Sequence, residues 1–301
     1  MDSIIKFVHN SEIDLIKWDR VIDDSPNSRV YANSWYLDIL NPDWHGLIYG
    51  DYNYVMPIVF SEKMLVKYIY QPIFSQQHGI FPPSTPEITA QFLNFLLQRF
   101  RFIDISLNSM NIVNGADFEI TKRKNFLLSL RESYSTLHGN YANVCKKNLK
   151  NASRRNTISK GIALDVFMDF YAQNIKVKLS SSVLKSLNLI ISKAMSMNAG
   201  EIYGAYSGHN ELSGVAFFLK GKNRYIYLAS VSSELGRKNS SMYSIVDAFI
   251  QNHSEQPFYF DFEGSNIDSI AFFFSGFGAQ PEIYQHLKYN NLPWVIKLFK
   301  K

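Results

Sequence analysis

The sequence predicts an α/β chain, of the α+β mixed-sheet kind, built from two similar domains in tandem with a cleft between them. Three observations predict it. First, short segments recur in the same order: Ile48-Tyr49-Gly50 as Ile202-Tyr203-Gly204, Tyr68-Ile69-Tyr70 as Tyr225-Ile226-Tyr227, and Phe102-Ile103-Asp104-Ile105-Ser106 as Tyr259-Phe260-Asp261-Phe262-Glu263. Their offset stays at about 155 residues, longer than any solenoid period, so the repeated unit is a whole domain. Second, each half reads strand, helices, antiparallel strands, helix, strand. Third, 301 residues with 46% hydrophobic content are enough for two ordinary cores. Two similar domains side by side make a cleft, and clefts are where ligands bind.

In the first half, residues 4–8 are expected as a strand, followed by a helix capped by Ser11 and carrying Ile13, Leu15, Ile16 and Trp18. A second short helix starts near Ser34. Strands follow at 47–49, 54–60 and 65–74, the first two joined by the turn Gly50-Asp51-Tyr52-Asn53. Thr85 and Pro86 open a helix with Ile88, Phe92, Phe95, Leu96 and Phe100 on one face. Strands at 102–107 and 126–130 end the half. Residues 141–160 carry Lys146, Lys147, Lys150, Arg154, Arg155 and Lys160 with no acid, over a thin apolar stripe of Val144, Leu149 and Ala152. This segment is expected as a helix joining the halves, which gives domains 1–140 and 141–301.

The second half repeats the pattern. Residues 163–167 are expected as a strand, and a helix begins at Ser182 with Leu184, Leu187, Ile191, Ala194 and Met195 at helical spacing. Residues 201–206 and 213–219 make a hairpin around Gly208-His209-Asn210. A strand at 224–231, a helix at 240–253, a strand at 258–262, a short helix at 267–274 and a last strand at 294–299 complete the chain. The sequence leaves open whether that last strand packs on the first domain.

Composition narrows the function classes. Aromatic content is 15%, with 23 Phe and 18 Tyr; Phe suits cores, and Tyr suits both strands and the polar-tipped lining of a groove. A net charge of +5 is compatible with phosphate-bearing ligands or RNA. The single cysteine, Cys145, excludes an intramolecular disulfide and favours a reducing compartment. Met1-Asp2-Ser3-Ile4-Ile5-Lys6 lacks the pattern of a signal peptide. No apolar run approaches the roughly 20 residues of a membrane helix. A cytoplasmic protein with no membrane span is expected, of unassigned oligomeric state. The seven histidines are scattered, none at metal-ligand spacing from another His, Cys or Glu, so no metal is expected. Cys145 sits among cations that would lower a thiol pKa, but without an assignable partner His its reading is structural.

Three stretches carry a family resemblance. One is Gln71-Pro72-Ile73-Phe74-Ser75-Gln76-Gln77-His78-Gly79-Ile80-Phe81. The second is the basic segment ending in Lys160-Gly161-Ile162. The third runs Phe260-Asp261-Phe262-Glu263-Gly264-Ser265, then Ile270-Ala271-Phe272-Phe273-Phe274-Ser275-Gly276-Phe277-Gly278-Ala279, then Tyr284. Together they resemble the Fem-type transferases that build peptidoglycan interpeptide bridges, and related acyl-CoA N-acyltransferase-like proteins with tandem GNAT domains. The resemblance spans nearly the whole chain. It implies two GNAT-like domains, a transferase role in cell-wall chemistry, and acyl-CoA as co-substrate. The chain departs from the pattern at Phe273-Phe274-Ser275, where relatives carry Lys or Arg before the Gly-Phe-Gly. In Fem-type enzymes that basic residue helps bind the transferred carbonyl or its donor. The chain also has no room for the extended helical arm of some Fem enzymes. Both departures disfavour aminoacyl-tRNA as the donor.

The candidate site residues follow. Arg237, Lys238, Asn239, Ser240 and Ser241 lie at the start of a helix, where the resemblance places the pyrophosphate of coenzyme A; helix dipole, free amides and two cations all suit an anion. The alternative is a capped surface helix start. Asp261 and Glu263 alternate with aromatics on a strand and share a face. Half-buried beside Phe260, Phe262 and Tyr227, either carboxylate could take a proton from an acceptor amine. The alternative for Asp261 is to hold the following turn. Gln76, Gln77, Tyr141 and Tyr284 are the candidates for binding substrate. The basic segment has three readings: a solvated face, a positive rim beside the cleft, or a tRNA contact. The expected function is transfer of an acyl group from acyl-CoA to an amine on a cell-envelope or polysaccharide precursor. The alternatives are an aminoacyl-tRNA-dependent peptidoglycan peptide transferase and a non-catalytic binding protein on a decayed scaffold.

Overall fold

The computed structural model describes residues 5–63, 65–115, 117–264 and 266–293. The chain divides by its internal contacts into two units, Met1–Arg123 with Ile283–Lys301, and Lys124–Glu282. Residues 124–140 therefore group with the second unit. The strand expected at 294–299 lies outside the described residues.

The first unit opens with β1 (Ile5–His9), α1 (Leu15–Asp24), α2 (Ser34–Leu40), β2 (His45–Tyr49) and β3 (Tyr54–Ile58). β1, β2 and β3 form an antiparallel sheet in that order. The cap of α1 is Asp14, whose Oδ1 accepts from Ile16 N and Lys17 N, and not the expected Ser11, which sits in a 3-10 turn. A carboxylate at this position satisfies two orphan amides at once. Trp18, Ile22 and Trp44 are fully buried against this sheet, and the indole of Trp18 donates to Ala32 O at 2.9 Å.

β4 (Phe60–Lys63), β5 (Val66–Tyr70), α3 (Pro86–Arg99) and β6 (Phe102–Ser106) follow. The expected strand at 54–60 is thus split between β3 and β4. Thr85 caps α3 through Ile88 N, as its position before Pro86 predicts. β5 and β6 run parallel, pairing Tyr68 with Phe102, Ile69 with Ile103 and Tyr70 with Asp104. Fully buried Ile103, Phe92 and Leu96 join them in one core.

β7 (Glu119–Ser129) leads into the second unit, which continues with α4 (Tyr134–Gly139), α5 (Asn143–Ala152), β8 (Asn156–Lys160), α6 (Leu164–Asn174), α7 (Ser181–Ser196), β9 (Gly200–Ser207), β10 (Leu212–Lys220), β11 (Arg224–Ser232), α8 (Glu234–Lys238), α9 (Ser241–His253), β12 (Tyr259–Gly264) and α10 (Asp268–Gly276). β13 (Gln280–Asn290) ends the described chain; its residues 286–290 pair antiparallel with β6. The strands of the second unit lie in the order β7-β12-β11-β10-β9-β8. β11 and β12 are parallel, the counterparts of β5 and β6, so the sequence repeat is a structural one.

Two expectations fail here. The helix expected over 141–160 stops at Ala152, and Asn156–Lys160 is strand β8, paired with β9. Thr157 and Ile158 are β-branched and have a sheet edge to join, which outweighs the helical character of the cations before them. The strand expected at 163–167 is the start of α6, which buries Phe167 and Tyr171, one turn of helix apart. The five residues 163–167 are too short a window to separate the helical period from the strand period.

Two buried titratable groups make the stability acid-sensitive. His78 is 2% exposed, and burial pushes its pKa down to about 4 while a backbone hydrogen bond to Tyr31 opposes the shift. Glu201 is also half-buried, which alone would raise it, yet hydrogen bonds from His253 at 2.9 Å and Lys160 at 3.0 Å bring it down to about 2. Both folded pKa values lie below the unfolded ones, so both contributions are present at neutral pH and lost on acidification. The His78 contribution, up to about 3 kcal/mol, should fade between roughly pH 6.5 and 4. The Glu201 contribution fades below it, between roughly pH 4.5 and 2. Urea titrations across this range check it: His78→Gln should flatten the upper window and leave the lower one.

Candidate functional site

The parallel pair β11–β12 is hydrogen-bonded at only three positions, Arg224 with Tyr259, Tyr225 with Phe260 and Ile226 with Asp261. Beyond them β11 runs on to Ser232 and β12 to Gly264 without pairing each other. The strands splay, and a cleft of about 670 Å³ opens between them. Tyr227, Leu228, Ala229, Ser230 and Ser232 form one wall; Phe262, Glu263 and Gly264 form the other. α6 contributes Tyr171, and α10 contributes Ser269, Ile270, Phe273 and Phe274.

One end of the cleft is polar. Gly236 and Arg237 of α8 and Ser240, Ser241, Met242 and Tyr243 around the start of α9 line it. Ser240 has a φ of +57° and makes no side-chain cap to α9. Ser241 does not cap either: its hydroxyl is buried against Ser213 at 2.8 Å and Asn156 at 3.1 Å. The first turn of a 13-residue helix is therefore presented to the cleft uncapped by side chains. Gly236 is required by close approach, since a Cβ there would lie 1.9 Å from Ser213 O.

The five residues expected at this end separate. Arg237, Ser240 and Ser241 line the cleft; Lys238 and Asn239 do not. Arg237 is exposed and donates to Ser232 O at 2.9 Å. Lys238 pairs with Glu234 on its own helix at 2.8 Å.

The two strand carboxylates separate as well. The expected common face is broken at Glu263, whose φ is +61°, inside a register shift between Asp261 and Gly264. Glu263 lines the cleft. Asp261 does not, and it is no free base: it is 2% exposed, its Oδ2 accepts from Arg224 Nη1 at 2.7 Å, and its Oδ1 accepts from Glu263 N at 2.9 Å. Its position corresponds to the turn-holding alternative, with Arg224 as a buried counter-ion the sequence did not reveal. Tyr227 is 8% exposed and lines the cleft; its hydroxyl donates to Met242 Sδ at 3.2 Å. Burial pushes its phenol up to about 12, with a hydrogen bond to Ser230 opposing. Tyr171 is likewise pushed up to about 12 by burial and by the Glu263 carboxylate.

The four residues expected to bind substrate are not brought to this cleft. Tyr141 is 3% exposed, its ring packed 5.0 Å from His138 and 5.2 Å from Phe277. Tyr284 is 6% exposed on β13. Gln77 is fully buried, accepting from Arg29 and donating to Gln76 Oε1 at 2.8 Å. Cys145 is buried, and burial with the nearby Asp247 pushes its thiol up to about 12, against the lowering expected from neighbouring cations. Sequence reasoning missed Tyr171, Met242, Tyr243, Ile270 and Phe273 as site residues. Met242 reads as part of an inward helical stripe, Ile270 and Phe273 only as part of the family motif, and no local signal marks Tyr171 or Tyr243; the splay of the strands is what puts them on the cleft.

In the first unit a cavity of about 540 Å³ lies against the paired residues of β5 and β6, lined by Tyr68, Tyr70, Gln71, Phe102 and Asp104 among others, but the strand ends beyond them are crossed by the chain. After Tyr70 the chain crosses the end of β6: His78 N donates to Ser106 O at 2.9 Å, and Asn108 N to His78 O at 2.7 Å. Gln71 Oε1 accepts from Ser106 N, and Ser75 Oγ meets His78 Nε2 at 2.6 Å. The loop occupies the place where the parallel strands would part. Among the described residues no group of His, Cys, Asp and Glu is placed to hold a metal ion, and no helix is long and apolar enough to cross a membrane.

No protein-family model matches the sequence, and no curated protein matches it by sequence. Solved structures match by fold. The crystal structure of FemX aligns over 98% of this chain and 100% of its own with a TM-score of 0.64 at 11% identity. A conserved protein of unknown function from Bacteroides thetaiotaomicron aligns over 95% and 99% with a TM-score of 0.61 at 10% identity. An acetyltransferase of the GNAT family from Colwellia psychrerythraea aligns over 95% and 100% with a TM-score of 0.52 at 12% identity. The fold is that of Fem-type, GNAT-like acyltransferases.

Proposed function

We propose that this chain, with its Fem-type, GNAT-like fold, is an N-acyltransferase that moves an acyl group from acyl-CoA to an amine on a cell-envelope or polysaccharide precursor. The observation that carries the reading is the splay of β11 from β12, with the uncapped start of α9 at the polar end of the resulting cleft. The residues present suit an anionic thioester. Arg237 and the first-turn amides of α9 are suited to hold phosphate oxygens. A bound thioester supplies an activated carbonyl and a thiol leaving group.

The chain's own groups supply the rest. As the amine nitrogen forms the amide bond and the carbon–sulfur bond breaks, one amine proton passes to the Glu263 carboxylate. The phenol of Tyr227, kept protonated by burial, is the proton source for the departing sulfur and is reprotonated from water. Most of the acceleration comes from holding the two reactants together. The acceptor class follows from the resemblance to Fem-type transferases.

The donor end is tested residue by residue. Arg237→Ala should raise KM for the thioester about tenfold, the worth of one charged hydrogen bond. Lys238→Ala, outside the cleft and already paired with Glu234, should leave it within about twofold. Steady-state kinetics on the two variants, or calorimetric titration with coenzyme A where no acceptor is in hand, separates them. Equal effects, or none from Arg237, would overturn the donor assignment.

A further inference from the structure

The cleft is polar at one end only. On the β12 and α10 side its lining is mainly apolar, with Phe262, Phe273, Phe274 and Ile270 beside Glu263 and Ser269, and Met242 and Tyr243 at the start of α9 extend it. The rings are packed as a continuous wall, with Phe262 and Phe274 at 5.0 Å, Phe273 and Phe274 at 5.8 Å, and Tyr243 and Phe273 at 4.7 Å. Among the described residues no cation lies among these side chains, and Glu263 is the one carboxylate lining the cleft. A short polar acyl group would leave this wall wet. The apolar surface also continues outward: Ile270 is 38% exposed, and Ile267, one turn before it, is 61% exposed. An opening of about 670 Å³ is of the size that holds a whole small ligand. Charge at one end and hydrocarbon at the other call for an amphipathic occupant with an anionic head and an apolar tail.

We propose that the acyl group this protein transfers is a medium- or long-chain fatty acyl group, its hydrocarbon lying along Phe273 and Ile270. This inference rests on the acyl-CoA reading above and specifies its donor. The carbon–nitrogen bond made and the carbon–sulfur bond broken are the same, with a fatty amide and coenzyme A as products.

Each buried methylene should strengthen binding about three- to fourfold, until the wall is covered. Calorimetric titration of the full chain with coenzyme A, acetyl-CoA, octanoyl-CoA and dodecanoyl-CoA reads this directly. The expected result is a Kd that falls at least about 100-fold from acetyl- to octanoyl-CoA. Ile270→Asp, at a partly exposed position that tolerates a charge, should remove most of that gain, read as the variant's own ratio of octanoyl- to acetyl-CoA affinity. Phe272→Asp, on the same helix, 59% exposed and outside the cleft, should keep the gain. Equal affinity for acetyl- and dodecanoyl-CoA, or a gain that survives Ile270→Asp, would overturn the fatty-acyl assignment while the acyl-CoA reading stands. No binding of any thioester or of coenzyme A itself would overturn both.

Discussion

Arg224→Ala should destabilise the second unit by about 3–5 kcal/mol, the largest single-residue effect expected here. The guanidinium is 6% exposed and sits 2.7 Å from the carboxylate of Asp261, itself 2% exposed, with Glu282 a further 3.9 Å away. Removing it leaves a buried carboxylate with a second one nearby and no counter-charge. The pair's net worth is a different quantity. Replacing both members by apolar residues, Arg224→Met with Asp261→Leu, should recover most of the loss, because the desolvation cost disappears with the charges. Activity should not recover with it. Asp261 Oδ1 fixes the backbone N–H of Glu263 at 2.9 Å, at a residue held with φ +61°, and leucine cannot replace that hydrogen bond. Urea unfolding beside turnover checks the split; a double variant that regains stability and activity together would remove Asp261 from its positioning role.

Tyr227→Phe should lower kcat by about 10²-fold or more while KM for the thioester and the melting temperature stay close to wild type. The substitution keeps the ring and its contacts with Phe260, Phe262 and Phe274. It deletes only the hydroxyl, which donates to the soft sulfur of Met242 at 3.2 Å and shares a hydrogen bond with Ser230, so the stability lost is confined to those two contacts. Because burial raises this phenol to about 12, it stays protonated through the neutral and mildly alkaline range. The pH–rate profile should therefore show no alkaline fall from this group until the pH nears that value. A kcat within threefold of wild type would reduce Tyr227 to part of the wall.

The tandem repeat and most elements were legible because they rest on local periodicity and turn chemistry. Gly50-Asp51-Tyr52-Asn53 turns between β2 and β3, and Thr85-Pro86 starts α3, as such residues do elsewhere. The β5–β6 and β11–β12 matches were visible as repeated aromatic-Ile-Tyr and aspartate-centred segments. β13 was missed, since Gln280, Pro281 and Glu282 open it and charges interrupt its alternation. The site was half legible. Arg237, Ser240, Ser241, Tyr227 and Glu263 lie on the cleft, because helix starts and strand ends carry recognisable residues. The turn-holding alternative for Asp261 was legible, but its partner Arg224, 37 residues away, and the register shift after Asp261 are tertiary features that the sequence does not show. Gln77 and Tyr141 have the composition of ligand-binding residues, but nothing local records that their surroundings are already protein.

The loop that seals the first unit's parallel pair gives the two halves different evolutionary freedom. Residues 71–81 hold their neighbours through His78, Gln71 and Ser75, so a substitution there must first preserve those hydrogen bonds. Tyr227, Leu228, Ala229, Ser230 and Ser232 on one strand and Phe262, Glu263 and Gly264 on the other line the cleft. A new side chain on those walls can change what is accommodated without disturbing a fold held elsewhere. Novel specificity in this architecture therefore arises from one half, while the other conserves the frame.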